Sequence, residues 1–110
     1  LEGSFFSTHY APDIESEKAQ AFIQAYREAY GDTPDDVAAL TYDAFGLLFK
    51  AITTQPEVTP DAVRNGLRSI GRYEGVTGAM EYRGSGDPVK SAVILQIQNG
   101  DFHFYKLANP

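Results

Sequence analysis

The run from Val37 to Ile52 constrains this chain more than any other feature. Its apolar residues, among them Leu40, Phe45, Leu48 and Phe49, are too dense for the alternation of a half-buried strand. They occupy more than one side of a helix that should end near Thr53. A helix apolar over most of its circumference needs neighbours on several sides, and a chain of 110 residues has few to give. The expectation is that part of this helix lies against polypeptide outside the sequence. The start at Leu1-Glu2-Gly3, without Met, is read the same way, as a cut inside a longer protein.

The rest of the chain supplies two more helices and a set of strands. Leu1 to Thr8 carries Phe5 and Phe6 between small residues and reads as a short strand, broken by Tyr10-Ala11-Pro12-Asp13. Ser16 caps a helix whose Ala19, Phe22, Ile23, Tyr26 and Tyr30 share one face, with Gly31 closing it. Thr33-Pro34-Asp35-Asp36 announces the long apolar helix, with Thr33 as cap and Pro34 in the first turn. Thr59-Pro60-Asp61 repeats the device for a third helix ending at Gly71. The period then changes. Gly78 to Tyr82 is strand-like, Gly84 to Pro88 is a turn, and Ser91 to Gln98 is a strand. Asn99-Gly100 signals a tight hairpin into a last strand with Phe102, Phe104 and Leu107 opposed to His103 and Lys106.

Composition excludes several functions. The formal charge is −6, with no basic cluster, so phosphate backbones and anionic headgroups are repelled. No apolar run approaches the length of a membrane span. The absence of Cys removes disulfides, thiolate chemistry and cysteine-ligated zinc. The two His have no ligand-like spacing, so no metal is expected. Gly84-Ser85-Gly86 lacks the Lys-Ser/Thr and the following helix of a phosphate loop. No nucleophile is paired with a base, so neither an enzyme nor a cofactor is expected.

Several stretches carry a family resemblance. Phe22 to Gly31, with Phe22, Tyr26, Tyr30 and Gly31 at fixed spacing, precedes Pro34 to Ala44, which contains Ala38-Ala39 and Tyr42-Asp43-Ala44. Tyr73-Glu74-Gly75-Val76-Thr77-Gly78 is followed by Gly86-Asp87-Pro88 and Lys90. Together with Glu2-Gly3, these runs resemble the carboxy-terminal segment of type I periplasmic solute-binding proteins of the branched-chain amino-acid transport family.

The resemblance implies an α/β fold in which ligand sits between two lobes that close about a hinge. Residues 1–110 would form one carboxy-terminal segment. Residues 1–9 would cross the hinge, 16–71 would be three helices of one lobe, and 76–107 would return as a strand and hairpin toward the other. The function implied is solute binding for an ABC transporter, with a small-molecule ligand and a permease as partners. The ligand would be a branched-chain amino acid, an amide or an aromatic acid. The location would be the periplasm, or the cell surface as a lipoprotein.

At the start of the second helix the family often places an aromatic against the ligand. Here that position is Val37, next to Ala38, which offers an apolar wall without a ring. A Val there equally suits an ordinary core. Tyr42 lies partly toward the same end of the helix with a hydroxyl to offer, although a buried Tyr usually satisfies it on any nearby carbonyl. Asp43 is expected to face solvent or to bridge between lobes, since an unpaired buried carboxylate is costly. His9 follows the crossing strand, where it would contact ligand or simply be solvated. The competing reading is a stand-alone module that pairs with itself, as a dimer or by exchange of elements. A ligand-sensing receptor domain is a variant of the first reading.

Overall fold

The computed structural model describes residues 1–110. Its elements run β1 (Phe5–Thr8), α1 (Glu17–Tyr30), α2 (Asp36–Thr53), α3 (Pro60–Ser69), β2 (Arg72–Gly75), β3 (Gly78–Tyr82), β4 (Pro88–Lys90), β5 (Ala92–Gln98) and β6 (Asp101–Ala108). The strands form two separate antiparallel sheets, β1-β5-β6 and β2-β3-β4. The fold class is α/β, as expected.

The helix ends follow local chemistry. Ser16 accepts from the Ala19 N–H, and Gly31 takes the left-handed conformation at φ 74°, its N–H returning to the Arg27 carbonyl. Thr59 caps α3 with Pro60 just inside. The start of α2 differs from expectation. Asp35, not Thr33, is the cap, accepting from the Ala38 N–H at 2.8 Å. A carboxylate at the positive end of the dipole is the stronger acceptor. Thr33 instead accepts from Arg27 Nε, and Pro34 is buried ahead of the helix.

Sheet registers account for two hairpins. Asn99 (φ 53°) and Gly100 (φ 81°) are both left-handed between Gln98 and Asp101, the geometry of a type I′ turn. The Glu2 carboxylate accepts the N–H groups of both turn residues. The β2–β3 connection is equally tight, with Val76 and Thr77 between the paired Gly75 and Gly78. Strands β2 and β4 were not anticipated. They have four and three residues, too short for a period to show, and β4 opens on Pro88, which fits only a strand's first position.

In β6 a bulge shifts the register beyond Phe104, leaving Tyr105 without an opposite residue. Phe102 and Phe104 therefore share a face with Phe6, Leu95 and Ile97, while Tyr105 meets Phe5 edge-on at 4.9 Å on the other. That second face of the last strand otherwise carries Asp101, His103 and Lys106, so the strand is continuously apolar on one side only.

The core is small. Tyr10, Ile23, Ala39 and Val76 form its centre, with Phe22 packed against it. Ala39, Asp43, Leu47 and Ala51, each four residues from the last, are the buried stripe of α2. At the far end of that stripe α3 crosses closely, because a Cβ on Gly66 would lie 2.4 Å from the Ala51 carbonyl oxygen. Only 16 residues are buried, and two overall measures agree with that. The accessible surface is 7347 Å², against roughly 6,000 Å² for a compact monomer of 12.1 kDa. The radius of gyration is 15.9 Å, against about 13 Å for a compact chain of this length. The surplus surface is apolar and specific in place: Tyr42, Phe45 and Phe49 on α2, and Phe5, Phe6 and Phe102 on the sheet.

Candidate functional site

Helices α1 and α2 diverge to leave an open groove of about 770 Å³. Its walls are aromatic because the exposed stripe of α1 (Phe22, Tyr26, Tyr30) faces that of α2 (Tyr42, Phe45, Phe49). Ring centroids of Phe22 and Tyr42 are 4.7 Å apart across the groove, and those of Tyr26 and Tyr30 are 4.7 Å apart along it. Tyr73 forms part of the lining, with the ammonium groups of Lys18 and Lys50 each 5.7 Å from its ring centre. Burial raises the Tyr73 hydroxyl above its ordinary 10.0, with Asp43 and then Tyr42 adding to the effect.

The residues singled out from sequence separate into two places. Ala38 and Tyr42 line this groove, where Tyr42 is 55% exposed and its ring meets Phe22 at a tilt of 38°. Val37 is 65% exposed in the first turn of α2 and outside the groove. His9 is exposed between β1 and the buried Tyr10.

Asp43 is neither solvent-facing nor bridging outward. It is 2% exposed, and its carboxylate accepts from the N–H groups of Val76 (2.7 Å) and Thr77 (3.0 Å) and from the Thr77 hydroxyl (2.5 Å). These three donors replace the water that burial removes, which is why the charge is tolerated on a buried stripe. Lys90 Nζ donates in turn to Thr77 Oγ1. Burial lowers the Lys90 ammonium from its ordinary 10.5, and the neighbouring Asp43 opposes that shift. The signal available in the sequence was the joint presence of Tyr42-Asp43 and Gly75-Val76-Thr77-Gly78, and only the fold shows that they meet.

Tyr10 is the one other buried polar group of note. Its hydroxyl has no hydrogen-bond partner, and burial raises it above 10.0, with Arg27 opposing and Asp35 adding. No group of His, Asp and Glu is arranged to hold a metal, and no helix is long and apolar enough to cross a membrane.

The profile of the family described as periplasmic binding protein matches residues 1–101, and the chain belongs to that family. Among solved structures it resembles the leucine-binding protein LivK of Thermotoga maritima MSB8, at 32% identity and a TM-score of 0.83, over 99% of this chain and 31% of that one. It also resembles an ABC transporter substrate-binding protein of Desulfitobacterium hafniense in complex with Leu, at 31% identity and a TM-score of 0.85, over 94% and 31%. A solute-binding protein of Rhodopseudomonas palustris BisB5 in complex with 3,4-dihydroxybenzoic acid shares the fold at 18% identity and a TM-score of 0.85, over 98% and 31%. No curated protein is similar enough to match. The chain therefore spans about a third of the length of these relatives.

Proposed function

We propose that this chain is the carboxy-terminal third of a solute-binding component of an ABC importer, acting in the periplasm or at the cell surface. Its ligand is an amino acid with an aliphatic side chain, held between two lobes. The observation that carries this reading is the agreement of sequence and fold, across nearly the whole chain, with two proteins described as binding leucine or solved with it. The surplus apolar surface supports it, since the aromatic stripe of α2 and the face of the β1-β5-β6 sheet that carries Phe6 and Phe102 are left uncovered. In this reading Val37 offers an aliphatic wall at the cleft, His9 lies at its rim, and Ala38 and Tyr42 support α2 from the groove behind. Residues 16–71 belong to one lobe, and the final hairpin reaches the other. Ligand favours closure through its contacts with both lobes.

The test is calorimetric titration of the polypeptide encoded by the complete reading frame with leucine, isoleucine, valine, benzoate and amides. Binding of the aliphatic amino acids, weakened at least tenfold by Val37→Asp, is expected. No binding of any of these solutes would overturn the reading. The 110 residues alone should bind poorly, because most of the cleft walls lie elsewhere.

A further inference from the structure

Three of the stretches that carried the family resemblance converge on one cluster. Asp43 comes from α2, Thr77 from the β2–β3 turn, and Lys90 from the end of β4. The hydrogen bonds run in one direction. Lys90 Nζ donates to Thr77 Oγ1, and the Thr77 hydroxyl donates to Asp43 Oδ2. The turn lies close against the helix, since a Cβ on Gly75 would lie 2.4 Å from Asp43 Oδ2.

Lys90 occupies a special place in the chain. One residue, Ser91, separates it from β5, the central strand of the other sheet. The chain passes between the helical body and that sheet at two places, after Thr8 and between Lys90 and Ala92. The two passages lie side by side, because Thr8 pairs with Val93. Beyond the crossings, Asp13 tethers the loop before α1 to the Phe104 N–H. The direction in which β5 leaves the helical body is set jointly by these ties and by what holds β4.

We propose that Lys90 is a positioning residue for the crossing: through Thr77 it fastens β4 to Asp43 on α2, and so sets the angle at which β5 departs. This deepens the solute-binding reading, on which it rests for its consequence. In a two-lobed protein the same tie links the helix that begins at Val37 to a strand of the hinge, so it biases the angle between lobes.

Residue-resolved amide exchange on the 110-residue chain, without ligand, tests it. Lys90→Met should accelerate exchange from Val89 to Ile94 about tenfold, a local opening about 1.4 kcal/mol easier, while α1 and α2 keep their protection. Lys90→Arg should restore slow exchange, because a cation still reaches Thr77. Thr77→Val keeps the backbone donor to Asp43 and removes only the hydroxyl link, so it should reproduce Lys90→Met. Unchanged exchange at the crossing in Lys90→Met or Thr77→Val would overturn the proposal. So would equal acceleration over all helices and strands, or a failure of Lys90→Arg to restore protection. The exchange pattern needs no ligand, so its failure leaves the solute-binding reading standing, and a failed titration leaves the tie intact.

Discussion

The hydroxyl of Tyr73 fills the space where a side chain on Gly46 would begin, 2.0 Å from the position of a Cβ there. A helix interior normally disfavours Gly by up to about 1 kcal/mol. Here the missing side chain lets β2 lie on α2 and lets Tyr73 serve as floor of the aromatic groove. Gly46→Ala is therefore expected to destabilise in spite of the better helix propensity, by about 1–3 kcal/mol. Tyr73→Phe in the same chain should recover part of that loss, because only the ring carbon at 3.1 Å then opposes the methyl group. Urea denaturation of the two single variants and the double variant measures the coupling; simple additivity would contradict the contact.

Asp43 is buried and accepts from three donors of one turn. Asp43→Ala should cost about 3–5 kcal/mol, because two turn N–H groups and the Thr77 hydroxyl then lack their acceptor and the Lys90 ammonium loses a neighbouring negative charge. Gly75→Ala should be comparably harmful by displacing the carboxylate. Thermal denaturation followed by circular dichroism would show both. A fall of less than a few degrees in Tm would mean that the turn is not anchored as described.

Tyr10 points the other way. Its buried hydroxyl has no partner, so Tyr10→Phe should leave stability unchanged or raise it by about 1 kcal/mol. A clear loss of stability would show that the hydroxyl is satisfied in solution.

Alkaline titration separates these groups. Tyr10 and Tyr73 both have hydroxyls raised above 10.0 in the folded chain. Above pH 10 the unfolded state loses those protons first, so stability falls as pH rises through the folded values. Lys90 has the opposite sign. Its ammonium is lowered from 10.5, so the folded state sheds that proton first and stability gains as pH climbs from the lowered value to 10.5. Tyr10→Phe with Tyr73→Phe should flatten the alkaline decline, and Lys90→Met should steepen it. Denaturation midpoints at several values between pH 8 and 11 decide this.

Helix α2 was legible because its period and capping acids are local properties of the sequence, and its excess of apolar residues was visible as a face without a partner. The aromatic groove was legible in pieces: both stripes could be read, but not that they face each other. What stayed hidden depends on distant pairing. Thr33 and Asp35 are both good caps, and in the fold Thr33 is engaged by Arg27 while Asp35 takes the cap. Strands β2 and β4 are defined by their neighbours in the sheet rather than by their own pattern. Asp43 looked like a surface acid because its three donors arrive from more than thirty residues away.

The bulge at Tyr105 has an effect beyond its own strand. At that point on β6 the free Phe104 N–H is already taken by the Asp13 carboxylate, with His103 Nδ1 3.8 Å from the same group. An incoming β-strand would find the ladder kinked and one of its donors occupied. The chain thus guards the middle of its own last strand, with a side chain from the loop before α1 sitting where a foreign strand would otherwise pair.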